Sequence, residues 1–213
     1  MSSMYKAERI DLRGGRGPEA AERVASLLRE GRVGVVPTDT VYGIAACALD
    51  REAVGRVMEI KARPADRPLP LHVPGVEEAS RLAITDGPEA SALMEAFWPG
   101  ALTLVLPRRK DIELPFQWKE SVGLRVPDNR FMLDVLDLCW PLAVPSANPP
   151  GEDAPRSGSE VVPSILEAVE FVVEAGLCDG GVESTVVDLT GSPRVLREGA
   201  LGEREIREAL GGP

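Results

Sequence analysis

Four short clusters in this sequence hold polar side chains of the kinds that bind or transfer small anionic groups, and each borders an apolar stretch. Pro37-Thr38-Asp39-Thr40-Val41-Tyr42-Gly43 gathers two hydroxyls, a carboxylate and a phenol. Lys61-Ala62-Arg63 sets two cations one residue apart, ahead of a proline-laden stretch from Pro64 to Pro70. Pro145-Ser146-Ala147-Asn148-Pro149-Pro150-Gly151 combines a hydroxyl and an amide, and Gly180 to Asp188 leads Ser184 and Thr185 into a β-branched run. Loops at the edge of a sheet commonly carry function. Each cluster also has a purely structural reading: Asx or Ser/Thr turns for the first and third, a helix C-terminus favouring cations for the second, a bulge or tight turn for the glycines of the fourth. Residue types alone leave both readings open.

If an anion binds, Lys61, Arg63, Arg125 and Arg197 are the candidates, because guanidinium grips phosphate or carboxylate in a fork while lysine supplies a compact charge. Neither G-x-x-x-x-G-K-[ST] nor a G-x-G-x-x-G after a strand occurs, so a phosphate would need another cradle. His72 is the single histidine, which excludes a zinc site with two His ligands and forces any Ser-His-Asp triad through one residue. Cys47, Cys139 and Cys178 are odd in number and far apart, against both a disulfide framework and a thiolate metal site. With 34 acidic and 24 basic residues the net charge is -10, which repels a nucleic-acid backbone at long range but leaves room for a local basic cleft. The apolar runs, such as Leu102 to Leu106, fall far short of the roughly 18 residues of a membrane span. Charges within the first ten residues, M-S-S-M-Y-K-A-E-R-I, speak against a secretory signal, so a cytoplasmic location and no membrane partner are expected.

The elements that must position these clusters are legible in outline. A helix is expected from Gly17, with Ala20, Val24, Leu27 and Leu28 on one face and Gly31 closing it. A buried strand follows at Arg32 to Val36, then a helix capped by Asp50 that stops before Arg63. Periodicity predicts strands at Leu69–Val73, Leu102–Leu106, Val122–Val126, Leu142–Val144, Phe171–Glu174, Thr185–Leu189 and Arg194–Arg197. Helices are expected at Val76–Ala83, Pro88–Phe97, Asp128–Leu138, Ser159–Val169 with a bend near Pro163, and Glu203–Leu210. At 213 residues and 44% hydrophobic, with strands and helices interleaved and no linker, the chain reads as one α/β domain over 1–213, a twisted mixed sheet flanked by helices. Connections such as Thr190-Gly191-Ser192-Pro193 are too short for a helical crossover and require antiparallel neighbours.

Taken in order, the clusters resemble the YrdC-like family of L-threonylcarbamoyladenylate synthases over roughly residues 33–199. Lys61-Ala62-Arg63 matches the family's K-x-R and Ser146-Ala147-Asn148 its S-x-N. Pro37 to Gly43, Trp98 to Thr103, Gly123 to Pro127 and Gly181 to Asp188 match the accompanying segments. The resemblance implies that L-threonine, bicarbonate and ATP give threonylcarbamoyl-AMP and pyrophosphate, with Mg2+ arriving on the ATP, for modification of a tRNA adenosine. It places Lys61 and Arg63 in catalysis. Thr38, Tyr42, His72, Arg125, Ser146 and Ser184 would hold threonine, and Lys61, Ser121, Asn148, Arg156 and Arg197 would face the nucleotide. The product would pass to threonylcarbamoyl-transferring proteins. The length is that of the catalytic-domain-only form. Three departures are visible: Arg67 where the family has Asn, Ser121 where Thr is usual, and a stretch from Pro149 to Arg156 lacking the usual hydroxyls. The altered Pro149–Arg156 stretch keeps in play a paralogue using another nucleotide or acyl acceptor; a second alternative, a member binding tRNA or double-stranded RNA as short members of the family do, is opposed by the net charge of -10.

Overall fold

The computed structural model describes residues 7–13, 15, 17–64, 67–115 and 118–212. Residues 1–6, on which part of the reading of the N-terminus rests, and residues 65 and 66 of the proline-laden stretch lie outside them. Helix α1 (Gly17–Arg29) buries Ala20, Ala21, Val24, Ala25, Leu27 and Leu28, a stripe at helical spacing, and Gly31 follows at φ 77°, the left-handed position that glycine adopts at no steric cost. Helix α2 (Arg51–Ile60) starts at Asp50, whose carboxylate accepts from the amides of Glu52 and Ala53 at 2.9 and 3.0 Å. The remaining helices are α3 (Val76–Leu82), α4 (Pro88–Phe97), α5 (Arg130–Leu138), α6 (Pro163–Leu166) and α7 (Glu203–Ala209). The single helix expected over Ser159–Val169 is instead a 3-10 turn, Gly158–Glu160, followed by α6. Pro163 has no amide hydrogen to continue a helix and sits at the first helical turn.

Ten strands form one mixed sheet: β1 (Glu8–Asp11), β2 (Gly34–Val36), β3 (Gly43–Cys47), β4 (Leu71–His72), β5 (Leu102–Pro107), β6 (Ser121–Arg125), β7 (Leu142–Ala143), β8 (Phe171–Glu174), β9 (Thr185–Asp188) and β10 (Arg194–Arg197). Their order is β1-β8-β2-β3-β7-β4-β6-β5-β9-β10. The pairs β1–β8, β2–β8, β4–β6 and β5–β9 are parallel; the others are antiparallel, including β9–β10 across the short Thr190–Pro193 connection. Strands β1 and β3 went unread in the sequence. The first is a charged edge strand, and the second, Gly-Ile-Ala-Ala-Cys, is too rich in small residues to carry a β signal.

Because side chains alternate across a strand, the sheet presents two faces. One face, with Val35, Ile44, Ala46, Leu71, Leu102, Leu104, Leu124 and Val187, packs beneath α2, α3, α4 and α7. On the other face α1 and α5 cover Val36, Ala45, Leu142, Phe171 and Val173, the half built from β8, β2, β3 and β7. Over β4, β6, β5 and β9 the outward positions between those core residues are His72, Thr103, Ser121, Gly123, Arg125 and Val186, and these line open clefts. The site therefore lies on the half of one sheet face that no helix covers. No helix of the described residues is long and apolar enough to cross a membrane.

Candidate functional site

The loop between β2 and β3 folds around Thr38. Its hydroxyl donates to the Val41 carbonyl at 2.7 Å and accepts from the amides of Thr40 and Val41 at 3.1 and 3.2 Å, so the Ser/Thr-turn reading of this cluster is correct locally. The turn also aims Asp39 at Arg125. Arg125 Nη2 donates to both Asp39 carboxylate oxygens at 2.6 and 2.7 Å, Nη1 to Thr40 Oγ1 at 2.9 Å and Nε to the Gly100 carbonyl at 2.9 Å. Arg125 is 3% exposed. Burial lowers its pKa from the ordinary arginine range while Asp39 works in the opposite direction. Its fork thus grips a carboxylate of the protein's own, and its remaining influence on a ligand is that of a compensated charge in the wall.

Around this pair opens a first cleft, a solvent-open space of about 490 Å³ lined by Thr38, Thr40, His72, Thr103, Arg125, Ser146, Glu183, Ser184 and Arg197, with Val41, Gly43, Pro70, Val144 and Pro145. His72 is buried on β4, and burial, helped by the nearby Arg125 charge, holds its pKa well below the usual histidine value. It is a neutral imidazole, and its Nδ1 has no hydrogen-bond partner among the described residues. Thr103 Oγ1 and Ser184 Oγ lie 2.9 Å apart. The uncharged polar lining is thus five hydroxyls and one neutral ring, with formal charge on Arg125, Arg197 and Glu183 and an apolar remainder.

The K-x-R cluster is split by its middle residue. Ala62 takes φ 43°, and the amides of Ala62 and Arg63 bond back to Glu59 and Met58 in a Schellman closure of α2. A left-handed alanine stores roughly 1–2 kcal/mol of strain. The turn sends the two cations apart. Lys61 Nζ donates to the Ser146 carbonyl at 2.7 Å, to Asn148 Oδ1 at 3.0 Å and to the Asn148 carbonyl. Arg63 instead bonds the carbonyls of Arg67 and Pro68 at 2.8 and 3.0 Å. Burial brings the Lys61 pKa down to about 8 from 10.5, with Glu183 opposing and Arg63 adding to the shift. The two motifs far apart in sequence meet here: lysine of K-x-R binds the backbone and side chain of S-x-N.

A second cleft, of about 1040 Å³, is lined by Arg63, Arg67, Ser121, Asp188 and Arg197 and by the apolar Leu69, Val105, Val186 and Leu196. The clefts share Pro70, Thr103, Ser184 and Arg197 in their walls. Arg197 holds the junction: Nε and Nη2 donate to the Ser184 carbonyl at 3.2 and 2.9 Å, and Nη1 pairs with Glu183 at 3.0 Å. A small polar compartment thus adjoins a larger one with cations on one side and apolar wall on another.

Of the residues singled out from sequence, Thr38, His72, Arg125 and Ser146 line the first cleft, Arg63 and Ser121 the second, and Ser184 and Arg197 both. Lys61 and Asn148 are joined to that wall through Ser146. Two residues are placed elsewhere. Tyr42 is fully buried, its hydroxyl donating to the Gly176 carbonyl at 2.9 Å and accepting from the Ala175 amide at 3.0 Å, and it lines neither cleft. Arg156 is exposed and lies against Gly181, where a Cβ would meet its Nε at 2.6 Å; it too lines neither cleft. Thr40 and Glu183 were missed as wall residues. Both stand inside the quoted clusters, but only the fold turns them inward.

Comparison with known proteins agrees with this architecture. The family model described as telomere recombination, covering Sua5, YciO and YrdC, matches residues 26–199. The chain is 40% identical to the threonylcarbamoyl-AMP synthase of Pyrococcus abyssi over 88% of its own length and 56% of that protein. It is 35% identical to a putative threonylcarbamoyl-AMP synthase of Mycobacterium tuberculosis over 86% of each. It spans only a little over half of the Pyrococcus protein and of its Bacillus subtilis counterpart, 56% and 57%. Among solved structures, P. abyssi Sua5 complexed with L-threonine superposes with a TM-score of 0.87 at 37% identity, over 96% of this chain and 61% of that one. Escherichia coli YciO gives 0.82 at 27% identity over 95% and 99%. A match through 26–199, with a shared fold and relatives above a third identical, means that this chain belongs to the Sua5/YciO/YrdC family.

Proposed function

We propose that this chain is a threonylcarbamoyl-AMP synthase, an enzyme that joins L-threonine, bicarbonate and ATP into threonylcarbamoyl-AMP with release of pyrophosphate. The observation that carries the proposal is the pair of adjoining clefts, the smaller one bearing five hydroxyls and a neutral imidazole, the larger one cationic and partly apolar. In support, relatives over a third identical bear that activity in their names, and the Pyrococcus relative binds L-threonine.

Threonine would occupy the first cleft against Thr38, His72, Ser146 and Ser184, with Arg125 as the buried charge behind them. Its amine adds to bicarbonate carbon with loss of water. A carbamate oxygen then attacks the α-phosphorus of ATP and the bond to the β-phosphate oxygen breaks, releasing pyrophosphate. Lys61 and Arg63 would stabilise the oxygens on which charge gathers, the dominant contribution in such transfers. Ser121 and Arg197 would hold the nucleotide in the second cleft, whose apolar wall of Leu69, Val105, Val186 and Leu196 suits a flat base, with Asn148 reaching it from the Lys61 side. The carboxylates lining the clefts are Glu183 and Asp188, already bonded to Arg197 and to Thr190 and Arg194, so magnesium would arrive on the triphosphate, where it would neutralise phosphate charge. The product would be handed to proteins that modify a tRNA adenosine.

The test is pyrophosphate release by the purified protein, with and without L-threonine and bicarbonate, followed by mass analysis of the nucleotide. Release that needs both co-substrates, with threonylcarbamoyl-AMP formed, is expected. Release independent of threonine, or none at all, would sink the proposal.

A further inference from the structure

An amino acid enters a pocket carrying an ammonium as well as a carboxylate, and moving an unpaired ammonium out of water costs several kcal/mol. A cleft built for it must supply an anion. Among the residues lining the first cleft that anion is Glu183. Arg125 is already matched by the Asp39 carboxylate, and His72 is neutral. Glu183 Oε2 pairs with Arg197 Nη1 at 3.0 Å, and the side chain keeps 34% of its surface exposed. A carboxylate offers about four acceptor positions on two oxygens, so one arginine contact does not exhaust it.

The backbone holds Glu183 in place. Its carbonyl accepts from the Ala200 amide at 2.9 Å, and a Cβ on Gly199 would stand 2.2 Å from that carbonyl oxygen, so only glycine permits the chain after β10 to close over it. Next to it Ser184 meets Thr103 across the cleft, and the Glu183 carboxylate acts on Lys61 and Arg63 through space. A carboxylate thus stands fixed where the two clefts meet.

We propose that Glu183 receives the α-ammonium of the amino-acid substrate and thereby selects amino acids over hydroxy acids that lack the nitrogen. It is a specificity-determining residue in direct contact with substrate. This inference rests on reading the first cleft as the amino-acid compartment.

Calorimetric titration with L-threonine and with 3-hydroxybutyrate, which keeps the carboxylate and hydroxyl without the nitrogen, tests it on the full chain and on Glu183→Gln. The wild-type protein is expected to prefer threonine. In Glu183→Gln the threonine Kd should rise about ten- to a hundredfold, the scale of a lost charged hydrogen bond, while the 3-hydroxybutyrate Kd stays within twofold. Equal weakening of both ligands, unchanged threonine affinity, or a wild-type protein that binds no threonine would each overturn the inference. Should the glutamine variant fail to fold, Glu183→Asp carries the same comparison, with a selective loss of threonine affinity expected and equal effects on both ligands overturning it. Pyrophosphate release separates the two readings. Selective, Glu183-dependent threonine binding without release refutes the synthase proposal and leaves this inference standing, whereas turnover with unaltered discrimination in Glu183→Gln does the reverse.

Discussion

Replacing Lys61 with methionine removes a buried titratable charge while keeping a side chain of similar length. Burial holds the Lys61 pKa at about 8 against an ordinary 10.5. At about 1.4 kcal/mol for each pH unit, that depression corresponds to roughly 3 kcal/mol of destabilisation carried by the charged form. The sign follows from proton binding. Above pH 10.5 neither folded nor unfolded chain holds the proton, and Lys61 costs nothing. As pH falls from 10.5 to 8 the unfolded chain takes the proton first, and stability is lost across that window. Below 8 both states are protonated and the cost is constant. The carbonyls of Ser146 and Asn148 and the Asn148 amide oxygen, orphaned in the variant, add a term independent of pH and cancel from the comparison. Urea denaturation of the wild-type protein and of Lys61→Met at pH 7 to 10.5 measures the difference. The wild-type protein should gain about 3 kcal/mol relative to the variant between pH 8 and 10.5 and nothing below 8. A difference independent of pH, or one moving the other way, would refute the assignment of a buried, easily deprotonated ammonium at the K-x-R site.

Asp39→Ala leaves the Arg125 guanidinium buried without its carboxylate, a loss of about 3–5 kcal/mol, or roughly 10 °C in melting temperature for a chain of this size. Thermal denaturation followed by circular dichroism checks it, and a fall under about 2 °C would mean that Asp39 does not compensate Arg125. Tyr42→Phe orphans the Gly176 carbonyl and the Ala175 amide and should lower stability by about 1–3 kcal/mol with no change in threonine affinity. A threonine Kd raised about tenfold, worth 1.4 kcal/mol, would return Tyr42 to the binding site.

Local pattern was enough for α1 and α2. The spacing of Val24, Leu27 and Leu28, the Asp50 cap and the position of Pro64 mark where α1 and α2 bury a face, begin and end, because those rules act within one or two turns of chain. The alternation of apolar and polar residues in Thr103-Leu104-Val105 and Ser121-Val122-Gly123-Leu124-Arg125 likewise already holds the split between core face and cleft face. Motif order was sufficient to name the family and to gather most of the site. What it could not show is which half of a sheet face the helices leave bare, since that depends on strand order β7-β4-β6-β5-β9, set by pairings between residues tens of positions apart.

The same distance limit explains the residues read differently. Tyr42 carries a side chain suited to a ligand, yet the fold gives it to backbone groups of residues 175 and 176, while Arg125 lines the first cleft with its guanidinium matched by Asp39. Glu183 looked like one more acidic residue in a chain of 34. Residue type and spacing determined that this protein would have hydroxyls, cations and a histidine near one sheet. Only the tertiary structure decided which of those charges are spent on each other and which are left facing the clefts, because charge compensation is settled by distances through space of about 3 Å, to which order along the chain is blind.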